Sequence, residues 1–281
     1  MILCIDIGNT NIRCALGTSE NYRQALAETN KITDAEGFAT FLRDNFGSDI
    51  GQIAGGIYAS VVPHKNTDII AAIRTLSKNI TINPINTAKM CVDFTQYKNA
   101  LGEDRAVCSW LAARKYGAPV VVIDFGTATT VNVVSIEPTQ HSQLHQNKNS
   151  EAKPKQPSCT YIGGAILAGV QTGIDALARG TARLPKLDLS ENGLAHINPI
   201  GQDTKECIIS GAVIGTACAA EGYVQRIQAL LAENPANSSA CPKIIITGGN
   251  ATKVIPHLNF SFIHEPNLLI EGLFTLYEIT Q

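Results

Sequence analysis

The sequence predicts an α/β chain built as an internal duplication, and three observations carry that reading. Residues 2–17 run ILCIDIGNTNIRCALG and residues 120–134 run VVVIDFGTATTVNVV. In both, an apolar strand ends in Asp-x-Gly, turns through small polar residues and returns as an alternating strand. Strand and helix patterns then follow each copy at the spacing of an α/β fold. The length, 281 residues of which 44% are hydrophobic and 16% charged, suits one large or two medium domains and is far above the size that needs staples.

Taken in order, the first copy leads into a third strand over residues 22–28 and a helix over residues 34–46. A strand over 55–62 is stopped by Pro63, and a helix spans 67–77. Gly102 to Tyr116 has helical apolar spacing in Ala106, Trp110, Leu111 and Ala113, and ends before Pro119. It is expected to link two domains, residues 1–117 and 118–281, at a hinge or cleft. The second copy leads into a strand near Thr160, a helix from about Gly169 and a long helix over residues 205–231. A strand over 243–247 then ends in Gly248-Gly249. Residues 137–158 are polar and nearly free of large apolar side chains, as expected of a surface insertion.

Composition narrows the function. Lys and Arg number 22 against 24 Asp and Glu, a net charge of -2 with no basic run, which argues against nucleic acid as the main ligand. No apolar run approaches the roughly 18 residues of a membrane span, and Met1 to Ile5 meet Asp6 with neither basic flank nor cleavage site. A cytoplasmic protein with no membrane partner is expected. The eight cysteines show no CxxC and the six histidines no HExxH, so buried thiols in a reducing compartment are expected, without structural zinc.

The residues with chemical potential lie at the two turns and at the start of the linking helix. In Asp6-Ile7-Gly8-Asn9-Thr10-Asn11 the carboxylate at a strand end suits a Mg²⁺-phosphate group, Gly8 lets backbone approach an oxyanion, and Asn9 or Thr10 can donate to phosphoryl oxygens. Alone this is also ordinary hairpin-turn chemistry. Its repetition in Asp124-Phe125-Gly126-Thr127-Ala128-Thr129-Thr130 suits a clamp around a nucleotide's phosphates. In Gly102-Glu103-Asp104-Arg105 an acid that can accept a hydroxyl proton stands beside a guanidinium that can grip a carboxylate, although the same residues also simply start a helix. Residues 161–169 and Thr247-Gly248-Gly249-Asn250 are glycine-rich and look like turns beside strands, open to close ligand approach or to tight packing.

DIGNTN at 6–11, YASVVP at 58–63, LGEDR at 101–105, DFGTATT at 124–130, GGAILAG at 163–169, TKECIISG at 204–211, TGG at 247–249 and PNLLIEGL at 266–273 together resemble the type III pantothenate kinase family, in the family's order and over nearly the whole chain. The resemblance implies a duplicated actin/Hsp70/sugar-kinase-type (ribonuclease H-like) fold, two α/β domains around a cleft, in a homodimer. It implies ATP-dependent phosphorylation of pantothenate at its primary hydroxyl, the first step of coenzyme A synthesis. By the same resemblance Asp6 is the Mg²⁺-associated carboxylate, Gly8 to Asn11 the first phosphate loop, and Gly126, Thr127 and Thr129 belong to the second. Asp104 is the general base, Arg105 and Gly102 belong to the pantothenate site, and Asp124 is the acid associated with an activating K⁺ or NH₄⁺. Gly248 and Gly249 form the adenosine-side turn, and Thr181 is the substrate-proximal threonine.

Three departures stand out. Ala168 occupies a usual proline position, residues 137–158 exceed the usual turn, and Thr95 stands where a tyrosine is common, with Tyr97 two residues on as the candidate pocket residue. Two other readings share the Asp-x-Gly turns: a sugar kinase of the same superfamily, which would lack GEDR at this place, and a non-catalytic nucleotide-binding accessory relative, which would have no reason to keep Asp6, Asp104 and Asp124 together.

Overall fold

The computed structural model describes residues 1–76, 80–136, 159–189, 197–237 and 241–281. The expected insertion at 137–158 lies outside them. The chain forms two compact units: Met1–Met90, Asn99–Leu111 and Asn267–Gln281 make the first, Cys91–Lys98 and Ala112–Pro266 the second. These units differ from the expected division at residue 117, because residues 91–98 and 267–281 pack against strands distant in sequence.

In the first unit β1 (Ile2–Ile7), β2 (Asn11–Gly17) and β3 (Tyr22–Glu28) form an antiparallel meander, and β4 (Gly55–Ser60) and β5 (Ile82–Pro84) add in parallel on the other side of β1. The order is β3-β2-β1-β4-β5. Because β1 is central, residues of both parities (Leu3, Cys4, Ile5, Ile7) are fully buried, which explains its continuous apolar run. Helix α1 (Ala35–Phe46) is capped by Asp34, whose side chain accepts the Gly37 N–H at 2.8 Å. Helix α2 (Pro63–Leu76) begins at Pro63, four residues before the expected start, since proline fits a first turn whose N–H has no partner inside the helix. Phe38, Leu42 and Phe46 of α1 and Ile69 and Ile73 of α2 close a core with Leu3, Ile5 and Ile7. Helix α3 (Glu103–Tyr116) is buried on all sides from Ala106 to Ala113. The last helix of the chain, Leu268–Thr280, packs on β1 and β4, with Gly272 against Val107. Its Leu268, Ile270, Leu273, Phe274 and Leu276 are fully buried, and this places the C-terminus in the first unit.

The second unit repeats the plan. β7 (Val120–Phe125), β8 (Ala128–Ile136) and β9 (Cys159–Ala168) form the meander; β10 (Lys243–Thr247) and β11 (Ile263–His264) add in parallel beside β7. β6 (Val92–Asp93) extends the far edge by pairing with β9, which draws residues 91–98 into this unit. The order β11-β10-β7-β8-β9-β6 is that of the first sheet plus one strand. Helices α4 (Val170–Gly180) and α5 (Thr204–Ala232) cover one face around Val121, Ile123, Val131 and Val133. The short α6 (Ala251–Val254) follows β10, which makes the C-terminal helix α7.

Three expectations need correction. Residues 161–168 are not a turn but the body of β9. The ladder with β8 shifts register between Val133 and Val134, where Gly163 has φ +121° and a Cβ on Gly164 would overlap the Val131 carbonyl oxygen. The glycines therefore serve a β-bulge. The expectation that no apolar run approaches a membrane span also changes: α5, the long helix expected over residues 205–231, is by length and composition long and apolar enough to cross a membrane, although Gly, Ser and Thr break its runs. Only 33% of its apolar window is buried within the chain. Lastly, all eight cysteines are free, but Cys91, Cys207, Cys218 and Cys241 are exposed and Cys159 is half-buried; only Cys4, Cys14 and Cys108 are buried.

The bulge yields a stability prediction. Gly164→Ala must push β8 and β9 apart, so its melting temperature falls by about 4–8 °C or more, equivalent to about 2 kcal/mol. Gly51→Ala, which meets open space, stays within about 2 °C of the parent. Thermal unfolding followed by circular dichroism measures both; equal midpoints for the two variants would contradict the packing described.

Candidate active site

Asp6 is the penultimate residue of β1, half-buried, in register with Arg13 on β2 and Ala59 on β4. The turn after it is closed by its own backbone. The Gly8 N–H donates to Asn11 O at 3.0 Å, the Thr29 N–H to Thr10 O at 2.8 Å, and the Thr29 hydroxyl to Gly8 O at 2.7 Å. The Gly8 N–H is thus used inside the turn, while Asn9 and Thr10 stand exposed at its tip. Those two residues are the ones the turn leaves at the surface, with Asn11 half-buried beside them.

The start of α3 is brought to the same end of the sheet. The Val61 N–H donates to Ile7 O at 3.0 Å as β4 ends, and the preceding Ser60 N–H donates to Glu103 Oε2 at 2.7 Å. Gly102 lies against Val61 and Asp104. The arrangement anchors α3 to the carboxyl ends of β1 and β4, so Asp6 to Asn11 and Gly102 to Arg105 share one end of the first sheet, where ligands of open α/β sheets bind. Glu103, which sequence reading passed over inside GEDR, is the anchor.

Burial dominates the electrostatics of this end. It raises the Asp104 carboxyl above the ordinary range, opposed by the Arg105 N–H, which donates to Oδ1 at 2.7 Å, and by the Arg105 charge. Glu103 is raised by burial, opposed by the Ser60 hydrogen bond and reinforced by the Asp104 charge. The Tyr58 hydroxyl is raised by burial and then by Glu103. A carboxylate whose affinity for a proton is raised, with one oxygen fixed by an amide, is suited to accepting a proton from a substrate hydroxyl.

In the second unit Asp124 holds the equivalent place in β7, half-buried and in register with Thr130 on β8 and Thr247 on β10. This turn is one residue shorter. The Gly126 N–H closes on Ala128 O at 3.1 Å, and Thr127 alone is exposed between the strands. Thr127 O accepts the Gly169 N–H at 3.1 Å and the Thr172 hydroxyl at 2.6 Å, which fixes the entry to α4 although Ala168 replaces a proline. Gly248 has φ +98°, and a Cβ there would overlap both Asp124 Oδ1 and the Phe125 backbone. The next residues complete the corner: the Asn250 N–H donates to Phe125 O at 2.8 Å and its Nδ2 to Gly126 O at 3.2 Å. Gly248, Gly249 and Asn250 are thus joined to the Asp124 turn. Asn250 was visible only as the residue after TGG.

Other expected residues lie elsewhere in this unit. Thr129 is 3% exposed and faces α4 and α5 with Val131, lining a groove of about 960 Å³ with Leu167, Val170, Leu177 and Tyr223. Thr181 is exposed past the end of α4, its hydroxyl donating to Leu177 O at 2.8 Å, about 16 Å of helix away from the Thr127 end. Tyr97 packs edge-on against Tyr161, ring centroids 5.6 Å apart.

The oxygen donors fit the expected ions. Asp6, Asn9, Thr10 and Asn11 make a sparse hard-ligand set, and no group of three or more His, Cys, Asp or Glu occurs among the described residues. That pattern suits Mg²⁺ held largely by nucleotide phosphates and water. At Asp124 a carboxylate enclosed by backbone at Gly126 and Gly248 suits a monovalent cation taken up by oxygen ligands.

A crystal structure of a conserved Campylobacter jejuni protein assigned to the Baf family of transcriptional activators superposes with a TM-score of 0.52 at 19% identity, covering 99% of this chain and 98% of that one, and shows a shared fold. A type III pantothenate kinase of Rhodococcus jostii (strain RHA1) is 32% identical over 295 residues, covering 100% of this chain and 96% of the relative. One of Roseiflexus sp. (strain RS-1) is 30% identical over 291 residues, covering both chains fully. The family model described as type III pantothenate kinase matches residues 2–142 and 156–226. With the repeated sheet, the acid-bearing turns and the GEDR helix start in place, the chain belongs to the type III pantothenate kinase family.

Proposed function

We propose that the protein transfers the terminal phosphoryl group of ATP to the primary hydroxyl of pantothenate, giving 4'-phosphopantothenate, the first step of coenzyme A synthesis. The observation that carries the reading is the Asp104 carboxylate, its proton affinity raised by burial, with Oδ1 tied to the Arg105 amide at the carboxyl end of the first sheet. Asp104 accepts the hydroxyl proton as the new O–P bond forms. Arg105 grips the pantothenate carboxylate through its planar fork, and Gly102, Tyr97 and Thr181 belong to the same substrate's binding. Asp6 to Asn11 and the Gly126-Thr127 turn orient the phosphates, with Gly248 and Gly249 on the adenosine side; Thr129, buried toward α4 and α5, is left out of this role. Mg²⁺ bound with ATP at Asp6 supplies charge neutralisation of the phosphoryl group.

A cytoplasmic location agrees with ATP as donor and with eight free thiols. The test is a coupled assay with purified protein, ATP, Mg²⁺ and pantothenate. ADP release that depends on pantothenate supports the reading; ADP release with a hexose and none with pantothenate would replace it with a sugar kinase.

Asp104→Asn separates catalysis from folding. The amide still accepts the Arg105 N–H but takes no proton, so kcat falls by about 10²- to 10⁴-fold. Because the folded-state pKa is raised, this residue's contribution to stability is present below the unfolded pKa and lost as pH rises through the folded one. At pH 7 the variant therefore melts at or above the parent temperature. The parent's kcat/KM rises with pH through a value above that of an ordinary aspartate. A kcat near the parent's, or a large drop in melting temperature at pH 7, would contradict the assignment.

Asp124 is the proposed seat of an activating K⁺ or NH₄⁺, which offsets its charge. Activity then rises with K⁺ or NH₄⁺ and not with Na⁺, and Asp124→Ala loses the response. Full activity of the parent enzyme in Na⁺ alone after exhaustive dialysis would dismiss the proposal.

A homodimer is supported by the second unit's exposed apolar face. Helix α5 is one-third buried along its apolar window, and Leu177 and Tyr223 beside the α4–α5 groove are 43% and 36% exposed. A second copy is the occupant proposed for that face. Light scattering after gel filtration should give twice the chain mass, and Leu177→Glu should give the monomer. A monomeric parent would remove the proposal.

A further inference from the structure

The face of the second sheet opposite α4 and α5 carries a chain of polar groups that the roles above leave unused. Asp124 on β7 and Thr130 on β8 are directly paired, and paired residues of antiparallel strands share a face. Asn132, two residues along β8, lies on that face too. Its Nδ2 donates to Thr130 Oγ1 at 3.0 Å, and its Oδ1 accepts from the Tyr161 hydroxyl at 3.0 Å. Tyr161 is fully buried and Asn132 is 1% exposed, whereas Thr130 is half-buried.

Tyr161 reaches this face only because of the bulge. Asn132 pairs with Gly164 and Val133 with Gly163; without the shift Val134 would pair with Ile162, and Tyr161 would point toward α4 and α5. The shift pairs Val134 with Tyr161 and turns the ring to the Asn132 side. There Phe94 and Tyr97 cover it at ring-centroid distances of 5.8 and 5.6 Å.

Hydrogen-bond direction follows from the inventory of donors. A threonine hydroxyl has one proton, and when its oxygen accepts from an amide that proton is aimed at another acceptor. We infer that Tyr161 and Asn132 are positioning residues that hold the Thr130 hydroxyl as a hydrogen-bond donor beside Asp124, for an anionic phosphate oxygen of the nucleotide. The inference rests on the reading that the Asp124 turn handles the phosphates of ATP. It also places the Tyr161 ring against Tyr97, the proposed pantothenate contact, and the Tyr161 hydroxyl on the phosphate side.

Three variants test it, read by steady-state kinetics and by calorimetric binding of Mg²⁺-ATP to the full-length protein. Tyr161→Phe keeps the ring packing and loses the donor: the KM and Kd for ATP rise by roughly five- to tenfold, while the KM for pantothenate stays within about twofold. Thr130→Val, at a half-buried site that tolerates an isosteric methyl, repeats the ATP effect even if Tyr161→Phe folds poorly, and Thr130→Ser restores parent values to within about twofold. Unchanged ATP binding in Thr130→Val, equal rises in both KM values, or a Thr130→Ser variant as impaired as Thr130→Val would overturn the relay. Failure of the parent to phosphorylate pantothenate would overturn the kinase reading instead, and the relay is then decided by ATP binding alone.

Discussion

Each unit has to hold a carboxylate at the end of a strand that is buried on both faces, and the surrounding architecture answers that constraint. A charged oxygen near an apolar core is costly unless dipoles and water-accessible edges surround it. Both Asp6 and Asp124 therefore stand at the last turn of a central strand, half in the core and half at its rim. In both, the following glycine closes the turn through its own N–H, which leaves the next residue exposed. The one-residue difference in turn length gives the first unit two exposed polar residues at the tip and the second unit one. The two turns share the constraint and differ in the residues they leave at the surface.

Features that depend on one strand and its turn were legible in the sequence; features that depend on a distant partner were not. The hairpin that opens each meander could be read because alternation, Asp-x-Gly and the turn residues lie within about 16 consecutive positions. The same logic made residues 243–247 and the GEDR helix start readable. Gly163 and Gly164 were misread as a turn because a bulge is a property of two strands, and nothing near them in sequence announces the Val131 carbonyl that Gly164 accommodates. Glu103 was passed over since its partner, the Ser60 amide, is 43 residues away. The apolar length of α5 was hidden by small residues that interrupt its apolar runs in sequence. The family resemblance supplied roles for residues such as Thr181 whose immediate surroundings, a helix end and an exposed loop, carry no chemical signature of their own.

The bulge shows how a backbone irregularity specifies a side-chain network. Strand periodicity assigns faces by parity, so a single inserted residue is the cheapest way to bring a tyrosine from one side of a sheet to the other. Its cost is a pair of glycines, Gly163 for its positive φ and Gly164 for want of room beside the Val131 carbonyl. Its gain is a buried tyrosine and asparagine that satisfy each other and reach the rim of the sheet at Thr130. A partly satisfied polar pair in that position would be worse than an apolar one, which ties the glycines, the tyrosine and the asparagine into one unit of sequence change.

The C-terminal helix has a consequence for how the chain is made. Residues of α7 fill the core of the first unit against β1, β4 and Val107, although the whole second unit lies between them in sequence. As the chain leaves the ribosome, the first sheet must wait with that side uncovered until residues 268–280 have emerged, by which point every segment of the second unit has already been made. The half synthesised first is thus the half completed last. Its exposed strands during that interval, and not the finished enzyme, set the demand for chaperones.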